Sequence, residues 1–573
     1  MIQETITTKK KKLNNKILKI YIVILICFVF IFSKLIYVNL IKSSELKEMA
    51  QSQWIENGKI IKAKRGTIYD RNGNILALSI LRYKLILNKN LIEDIDKTLD
   101  FISSKLNLSR DELTKKVEIN NPQVVIVEDI KESDLENYKD LIDDEIYIES
   151  YYKRVYPYCN LSSYLLGAMG VDNGLEGIEF NFDSILKGED GVMGFLKDAN
   201  GKEIPGSEFI IKKPKDGKDL YLTIDINLQG ALESELEKTL KEYNPKRIIG
   251  IIENVKTGEI LSIATLPNFN PNDLKDFSKA IYPDPAYGYN YEPGSSFKPL
   301  VASAALEEDL INDEDKFNCK GYTVIDNKTF KCFVAHGEQT LKDLLKNSCN
   351  IGFIKVGEKL GERLYYYLKL FGVGEKIGLD FPYEGKGDIL EPKDWSLTTL
   401  PTMSFGVGIT VTPLQMTSFY QTIANGGNRL KPLIVKKIVE GNKTIFESKP
   451  ILIKKVISEE TADKVLSYLD YVVNGGGVKS AIISGYSIGG KTGTAGVIEN
   501  GRYKEGISVL WFIGIVTAKD PEYVITIVVD GIQGGDIFAA GIAAPTFRRV
   551  AQFLINYYGI EKDEKPKWDF KRC

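Results

Sequence analysis

The sequence predicts an α+β protein: a membrane-anchoring helix, a mixed α/β domain, then a larger domain in which an antiparallel sheet is covered by helices. Three observations carry this. An apolar run extends from about Ile17 to Ile41 directly after the basic stretch KKKK at 9–12. Apolar segments of strand length come in pairs joined by turn residues, as in RIIGIIENVKTGEILSIATL, where Lys256-Thr257-Gly258 forms the turn. Amphipathic helical stretches alternate with them, and AAPTFRRVAQFLINYY closes the globular part. A chain of 573 residues also exceeds one ordinary core, so at least two globular units follow the anchor.

The apolar run is long enough to cross a bilayer, which needs about 20 residues. VNLIKSSELK follows it without a small-x-small cleavage site, so we expect a retained anchor and not a signal peptide. Lysines concentrate before the run, which predicts a cytoplasmic tail at 1–16, an anchor at 17–41 and everything beyond it outside. The net charge is −2, from 75 basic and 77 acidic residues with no extended basic face, so nucleic acid is not an expected partner.

Within RGTIYDRNGNILA, 65–77, the segment Asp70-Arg71-Asn72-Gly73-Asn74 predicts a tight turn in a β-hairpin. Residues 90–150 are charged, with helical spacing in IEDIDKTLDFISSKL. A domain boundary is expected in the polar Pro and Gly stretch KKPKDGKD, 212–219. Beyond it, DLYLTIDINLQGALESELEKTLKEY predicts a strand followed by an amphipathic helix, and VLWFIGIVT and YVITIVVDGI predict further strands.

The chemistry concentrates in three short motifs. Ser295 and Lys298 in EPGSSFKPL are three apart, so on a helix they share a face and the amine reaches the hydroxyl. A partly desolvated lysine can then act as the base that turns serine into a nucleophile. Alone the pattern means little, because Ser44-Glu45-Leu46-Lys47 and Ser184-Ile185-Leu186-Lys187 match it too. Ser348-Cys349-Asn350 follows, then Gly489-Gly490-Lys491-Thr492-Gly493-Thr494, completing the ordered set S-x-x-K, S-x-N, K-T-G. The other Lys-Thr-Gly, at 256–258, precedes the serine and is explained as a turn.

With these motifs in place the chain resembles a class B penicillin-binding protein, a membrane-anchored peptidoglycan D,D-transpeptidase. RGTIYDRNGNILA and GLEGIEFNFDSILKGEDG resemble the family's pedestal; LTIDINLQ, LPNFNPND, FGVGITVTPLQM and AAGIAAPTFRRVA resemble landmarks of its catalytic domain. Val407 departs from the glutamine common at its position, which implies an altered cleft wall. The resemblance implies a pedestal or dimerisation domain at 42–215, a transpeptidase domain at 216–560 and a tail at 561–573. It further implies a five-stranded antiparallel sheet with an all-helical subdomain. By the same resemblance Ser295 attacks the penultimate D-Ala carbonyl of a stem peptide and Lys298 takes its proton. Ser348 relays a proton to the departing D-Ala, Asn350 holds the substrate backbone and Lys298, and Lys491 and Thr492 receive the terminal carboxylate. The amides of Ser295 and Thr494 are expected to form the oxyanion hole, and Gly493 to line the substrate strand. β-Lactams should acylate Ser295, and a SEDS-type glycosyltransferase is the implied membrane partner. The process served, whether elongation and cell shape, division or sporulation, stays open.

Six cysteines divide unevenly: Cys27 lies in the anchor, Cys159 stands alone and Cys573 is last. Cys319, Cys332 and Cys349 cluster around the single histidine, His336, as C-x12-C-x3-H-x12-C. Three thiols and an imidazole suit tetrahedral zinc, and the i, i+4 spacing of Cys332 and His336 would put two ligands on one helical face. Cys and His insertions in a clostridial-type subset of the family are similar. A closed four-ligand site makes such a zinc structural, with no cofactor needed for the chemistry. A disulfide and free buried thiols are the alternatives.

Three other functions compete: a β-lactam sensor, a serine β-lactamase and a structural scaffold with a dead site, the last disfavoured by intact Ser295, Lys298, Ser348, Asn350, Lys491 and Thr492. A β-lactam sensor should carry a cytoplasmic signalling module, yet only about sixteen residues precede the span. A serine β-lactamase needs a deacylating base that no motif supplies. A Ser-His-Asp triad through His336 is unnecessary where Lys298 already reaches the serine.

Overall fold

The computed structural model describes residues 2–38, 42, 55–56, 60–118, 121–143, 145–196, 204, 206–379, 381–499, 502–534 and 538–563. The end of the predicted anchor at 39–41, the Ser44–Lys47 motif copy and Cys573 lie outside the described residues. The chain divides into two compact units, Met1–Ala63 with Glu189–Asp216, and Lys64–Gly188 with Gly217–Cys573.

In the first unit the apolar run continues the helix Ile2–Ile36. Its window Lys19–Ile36 is long and apolar enough to cross a membrane, and none of it is buried in protein. The same unit holds a small antiparallel sheet in which Gly191–Leu196 pairs with Ile55–Glu56, Ile60–Ile61 and Phe209–Lys212.

In the second unit the predicted hairpin forms between Ile68–Tyr69 and Ile75–Asn88. Asp70 closes its turn, accepting the Asn72 and Asn74 backbone N–H groups at 2.8 Å each. The long strand Ile75–Asn88 pairs with Gln123–Ile130 and Ile146–Val155. Two helices, Ile95–Leu106 and Arg110–Glu118, bring Leu99, Ile102 and Leu113 onto this sheet and make a separate small core. The two pedestal-like motifs meet in the fold: fully buried Glu179 accepts from Arg65 Nε and Arg154 Nε, each at 2.7 Å. One carboxylate is thereby matched by two guanidinium groups, which such burial demands.

A second sheet has five antiparallel strands in the order Ile260–Leu266, Arg247–Asn254, Tyr523–Gln533, Arg502–Val516 and Ile488–Glu499. The inner strands read as unbroken apolar runs because helices cover both faces. Ile226–Tyr243 and Ala543–Tyr558 lie on one face, where Gly514 leaves room for the Phe547 ring. Pro413–Ala424, buried along its whole length, lies on the other, where Thr417 Oγ1 donates to Thr526 Oγ1 at 2.8 Å. A helical lobe beside this face contains Lys298–Glu307, Leu341–Lys346, Asn350–Leu360 and Arg363–Phe371. Ile488–Glu499 is the outermost strand, so one of its edges is left to border a cleft.

Candidate active site

Ser295 lies in the short 3-10 turn Gly294–Phe297, and Lys298 opens the helix that follows. Residues three apart eclipse in 3-10 geometry. The Lys298 amine accordingly sits 2.9 Å from Ser295 Oγ. Two buried bonds pin the turn: Ser296 Oγ donates to the Pro293 carbonyl and Tyr420 OH to the Ser296 carbonyl, each at 2.7 Å.

Lys298 is fully buried. Its Nζ lies 2.7 Å from the Ser348 carbonyl, 2.8 Å from Asn350 Oδ1 and 3.2 Å from Ser348 Oγ. A neutral amine has two N–H groups and one lone pair. The Ser348 carbonyl and the Asn350 amide oxygen take the N–H groups, which leaves the lone pair for the Ser295 hydroxyl. Burial first, then the neighbouring Lys491 charge, holds Lys298 well below the usual lysine range. This arrangement can deprotonate a serine as it attacks a carbonyl.

Ser348 sits in the left-handed region at φ 52° between two helices. Its hydroxyl receives Lys491 Nζ at 3.1 Å, so both lysines converge on one serine oxygen. Lys491 is buried behind the cleft wall, and burial pushes it down to about 7. The strand and the serine turn pack backbone to backbone. A Cβ on Gly294, at φ +53°, would stand 2.5 Å from the Thr494 carbonyl, and one on Gly493 would stand 2.5 Å from the Pro293 carbonyl. A cavity of about 310 Å³ results, lined by Ser295, Ser348, Asn350, Thr492, Gly493 and Thr494, with Val407 and Phe405 on its wall. The second Lys-Thr-Gly is a turn between two strands, with Gly258 at φ 72°.

Cys319, Cys332, His336 and Cys349 come together with all ligand atoms within 4.8 Å of one another. Two hairpins cause this. Tyr322–Ile325 pairs with Lys328–Lys331 and returns Cys332 to Gly321, whose carbonyl accepts the Cys332 N–H at 2.9 Å. Phe317–Cys319 pairs with Gly337–Gln339, which sets Cys319 opposite Gly337, the neighbour of His336. The helical arrangement expected for Cys332 and His336 is therefore wrong: both lie in the loop between strands Lys328–Lys331 and Gly337–Gln339. The strand pairings, not a helix turn, determine their proximity.

The donor set fits a tetrahedral metal. Cys332 Sγ and Cys349 Sγ are 3.8 Å apart. Two thiolates each about 2.3 Å from a tetrahedral zinc would stand about that far from each other, whereas a disulfide needs about 2.05 Å. His336 Nδ1 is buried without a hydrogen-bond partner. Backbone N–H groups at the start of the Asn350–Leu360 helix point at both sulfurs, Ile351 to Cys332 at 3.4 Å and Gly352 to Cys349 at 3.3 Å. Such donors favour thiolate. The hydrogen bond between the two thiols lowers Cys332 to about 7 and, with burial next, raises Cys349 to about 12. Cys349 is fully buried and absent from the cavity lining, while Cys332 and His336 contribute to it.

Sequence reasoning missed Glu292, one position before the Pro-Gly of the serine motif. Its carboxylate accepts from Tyr503 OH and the Gly408 N–H at 2.9 Å, and its carbonyl accepts from Trp511 Nε1 at 3.1 Å. Its position beside the motif was visible; its partners, far along the chain, were not. Phe333 and Phe538, both on the cavity wall, were missed as well.

Comparison with known proteins gives concordant matches. Residues 248–552 match the model of the penicillin-binding protein transpeptidase domain, and residues 60–222 that of the penicillin-binding protein dimerisation domain. Stage V sporulation protein D of Bacillus subtilis is 34% identical, over 95% of this chain and 86% of the relative. A probable peptidoglycan D,D-transpeptidase, PenA, of Neisseria meningitidis is 26% identical, over 96% of this chain and 93% of the relative. Among solved structures, a peptidoglycan synthetase from Bifidobacterium adolescentis superposes with TM-score 0.72 at 26% identity, covering 89% of this chain and 98% of the other. Penicillin-binding protein 3 from Mycobacterium tuberculosis in complex with aztreonam superposes with TM-score 0.68 at 26% identity, covering 89% and 99%.

Proposed function

The chain belongs to the penicillin-binding protein transpeptidase family, and from that premise we propose that it cross-links peptidoglycan stem peptides through an acyl-enzyme on Ser295. The observation that carries the reading is the 2.9 Å contact between Lys298 Nζ and Ser295 Oγ, with Ser348 and Asn350 on the same amine. Ser295 Oγ attacks the carbonyl of the penultimate D-Ala as Lys298 takes its proton. The backbone amides of Ser295 and Thr494 would stabilise the resulting oxyanion, each donor contributing about 3 to 4 kcal/mol in comparable enzymes. The C–N bond then breaks. Ser348, in contact with both lysines, delivers a proton to the leaving D-Ala nitrogen and regains one from Lys298. The amine of a neighbouring stem then attacks the ester carbonyl and gives up a proton to Lys298, which returns it to Ser295 Oγ as the C–O bond breaks and the cross-link forms. Asn350 holds Lys298 and the donor backbone, while Thr492 presents its hydroxyl to the terminal carboxylate and Lys491, buried against Ser348 Oγ and Thr492 Oγ1, supplies charge from behind it.

Labelling with a fluorescent penicillin tests the assignment. Wild-type protein should form a stable covalent adduct and Ser295→Ala none; equal labelling would reject Ser295 as nucleophile. Rapid release of hydrolysed penicillin from the wild type would instead favour a β-lactamase.

The apolar helix Ile2–Ile36 supports a single-pass anchor in the cytoplasmic membrane, with the tail 1–16 inside and the catalytic domain outside. We assign 42–215 to the pedestal and 216–560 to the transpeptidase domain, ahead of a tail at 561–573. A SEDS-type polymerase as partner in the membrane accords with that layout.

Cys319, Cys332, His336 and Cys349 would hold a structural zinc, supported by their spacing and by the orphaned His336 Nδ1. When bound, that ion would cross-link two hairpins to the start of the Asn350–Leu360 helix and supply no step of the reaction.

A further inference from the structure

The rings of Phe333 and Phe538 meet edge to face, with centroids 5.6 Å apart and an interplanar angle of 86°. Both line the cavity that holds Ser295. They arrive on different elements. Phe333 follows Cys332 in the loop of the helical lobe, and Phe538 lies between the strand Tyr523–Gln533 and the closing helix Ala543–Tyr558. Phe333 is 90% exposed and Phe538 47%, so core packing does not account for either. Their backbones are nonetheless anchored. The Cys332 N–H is bonded to the Gly321 carbonyl, Ala539 is buried, and the Ala540 carbonyl accepts from Ser480 Oγ at 2.6 Å. Two exposed rings on held backbones touch across a cleft that must admit a peptide.

We propose that the Phe333–Phe538 pair spans the mouth of the cleft and limits the bulk of the side chain that an acyl donor or β-lactam carries past it. The proposal rests on the acyl-enzyme reading above. A slim donor reaches Ser295 with the rings in contact; a bulky one must part them first. An edge-to-face pair favours its closed arrangement by about two- to twelve-fold, and the penalty on a bulky donor is of that size. The pair therefore acts as a specificity determinant, distinct from the groups that carry the chemistry.

The test uses the full-length protein in detergent micelles. Acylation rates are read by intact mass with 6-aminopenicillanic acid as the slim probe and a penicillin bearing a large fluorescent dye as the bulky one. The bulky-to-slim rate ratio should rise about two- to twelve-fold in Phe333→Ala and likewise in Phe538→Ala. It should rise no further in the double variant, and Phe333→Tyr, which keeps an aromatic edge, should behave as wild type. Phe538→Ala leaves the Cys/His loop intact, so the measurement survives any folding defect of Phe333→Ala. An unchanged ratio in Phe538→Ala, or single effects that multiply in the double variant, would overturn the proposal while leaving the acyl-enzyme intact. Absence of any adduct on wild-type protein would overturn the acyl-enzyme reading, and this one with it.

Discussion

Asn350 Nδ2 donates to the main-chain carbonyl of Lys331 at 3.2 Å, one residue before Cys332. The oxygen of the same amide accepts from Lys298. The Cys/His loop is thus hydrogen-bonded to the group that orients the candidate base, and Cys349 caps the helix on which Asn350 sits.

Loss of the metal ligands should therefore reach the chemistry indirectly. Cys349→Ser is expected to lower the melting temperature and slow penicillin acylation, whereas Ser348→Ala should impair turnover with the melting temperature unchanged. Elemental analysis of protein prepared without chelator should find close to one zinc per chain. Unchanged melting and acylation in Cys349→Ser would make that cysteine incidental.

The acylation rate should depend on pH from both sides. Lys298 must be neutral to act as a base, so the rate rises as pH climbs through its lowered pKa. Lys491 must be charged to draw in a carboxylate, so the rate falls as pH passes about 7. Stopped-flow acylation followed from acid to alkaline pH should trace a bell whose alkaline limb lies near pH 7. Lys491→Arg, charged throughout that range, should lose the alkaline limb at a lower maximum. A wild-type profile flat on the alkaline side would contradict the role given to Lys491.

Gly493 tests the contact between strand and serine turn. An added Cβ would stand 2.5 Å from the Pro293 carbonyl and 2.9 Å from Ser296 Oγ, so the strand has to move away. A displacement on the order of 1 Å can cost on the order of 100-fold. Gly493→Ala should lose at least about ten-fold in acylation rate while remaining folded by circular dichroism; wild-type kinetics would show that the contact is dispensable.

Glu253 links stability to pH away from the cleft. It is fully buried, is bonded by Ser418 Oγ at 3.2 Å, and is pushed up to about 8 by burial. The folded state then holds a proton that the unfolded chain releases near the ordinary glutamate value of 4.5. Its contribution to stability is present below about 4.5 and is lost as pH rises toward about 8. Glu253→Gln removes that loss. Its melting temperature relative to wild type should climb between about pH 5 and 8, by an amount equivalent to a few kcal/mol at most. A constant difference across that range would mean that Glu253 does not titrate there.

Local physics was legible before any coordinates. The paired strands around Lys256-Thr257-Gly258, the Asp70 turn and the closing helix each depend on neighbours a few residues away, and each forms where the pattern placed it. The expectation that failed, a helical face for Cys332 and His336, applied a local spacing rule to a loop controlled by strand pairing. Glu292 with Tyr503 and Asn350 with Lys331 left no trace in periodicity, because each contact depends on where distant segments pack.

The amino-acid sequence by itself determined the inventory: an apolar helix, strands and helices in order, the three motifs, and three cysteines around one histidine. Their order identified the family because a serine nucleophile, its amine base and a carboxylate-binding strand serve one reaction together. Tertiary structure alone decided that Lys298 is buried against four oxygens, that Lys491 turns behind the wall onto Ser348, and that the Cys/His loop borders the cleft. Desolvation and long-range hydrogen bonds act through space, and only the folded chain determines which groups are near enough to feel them.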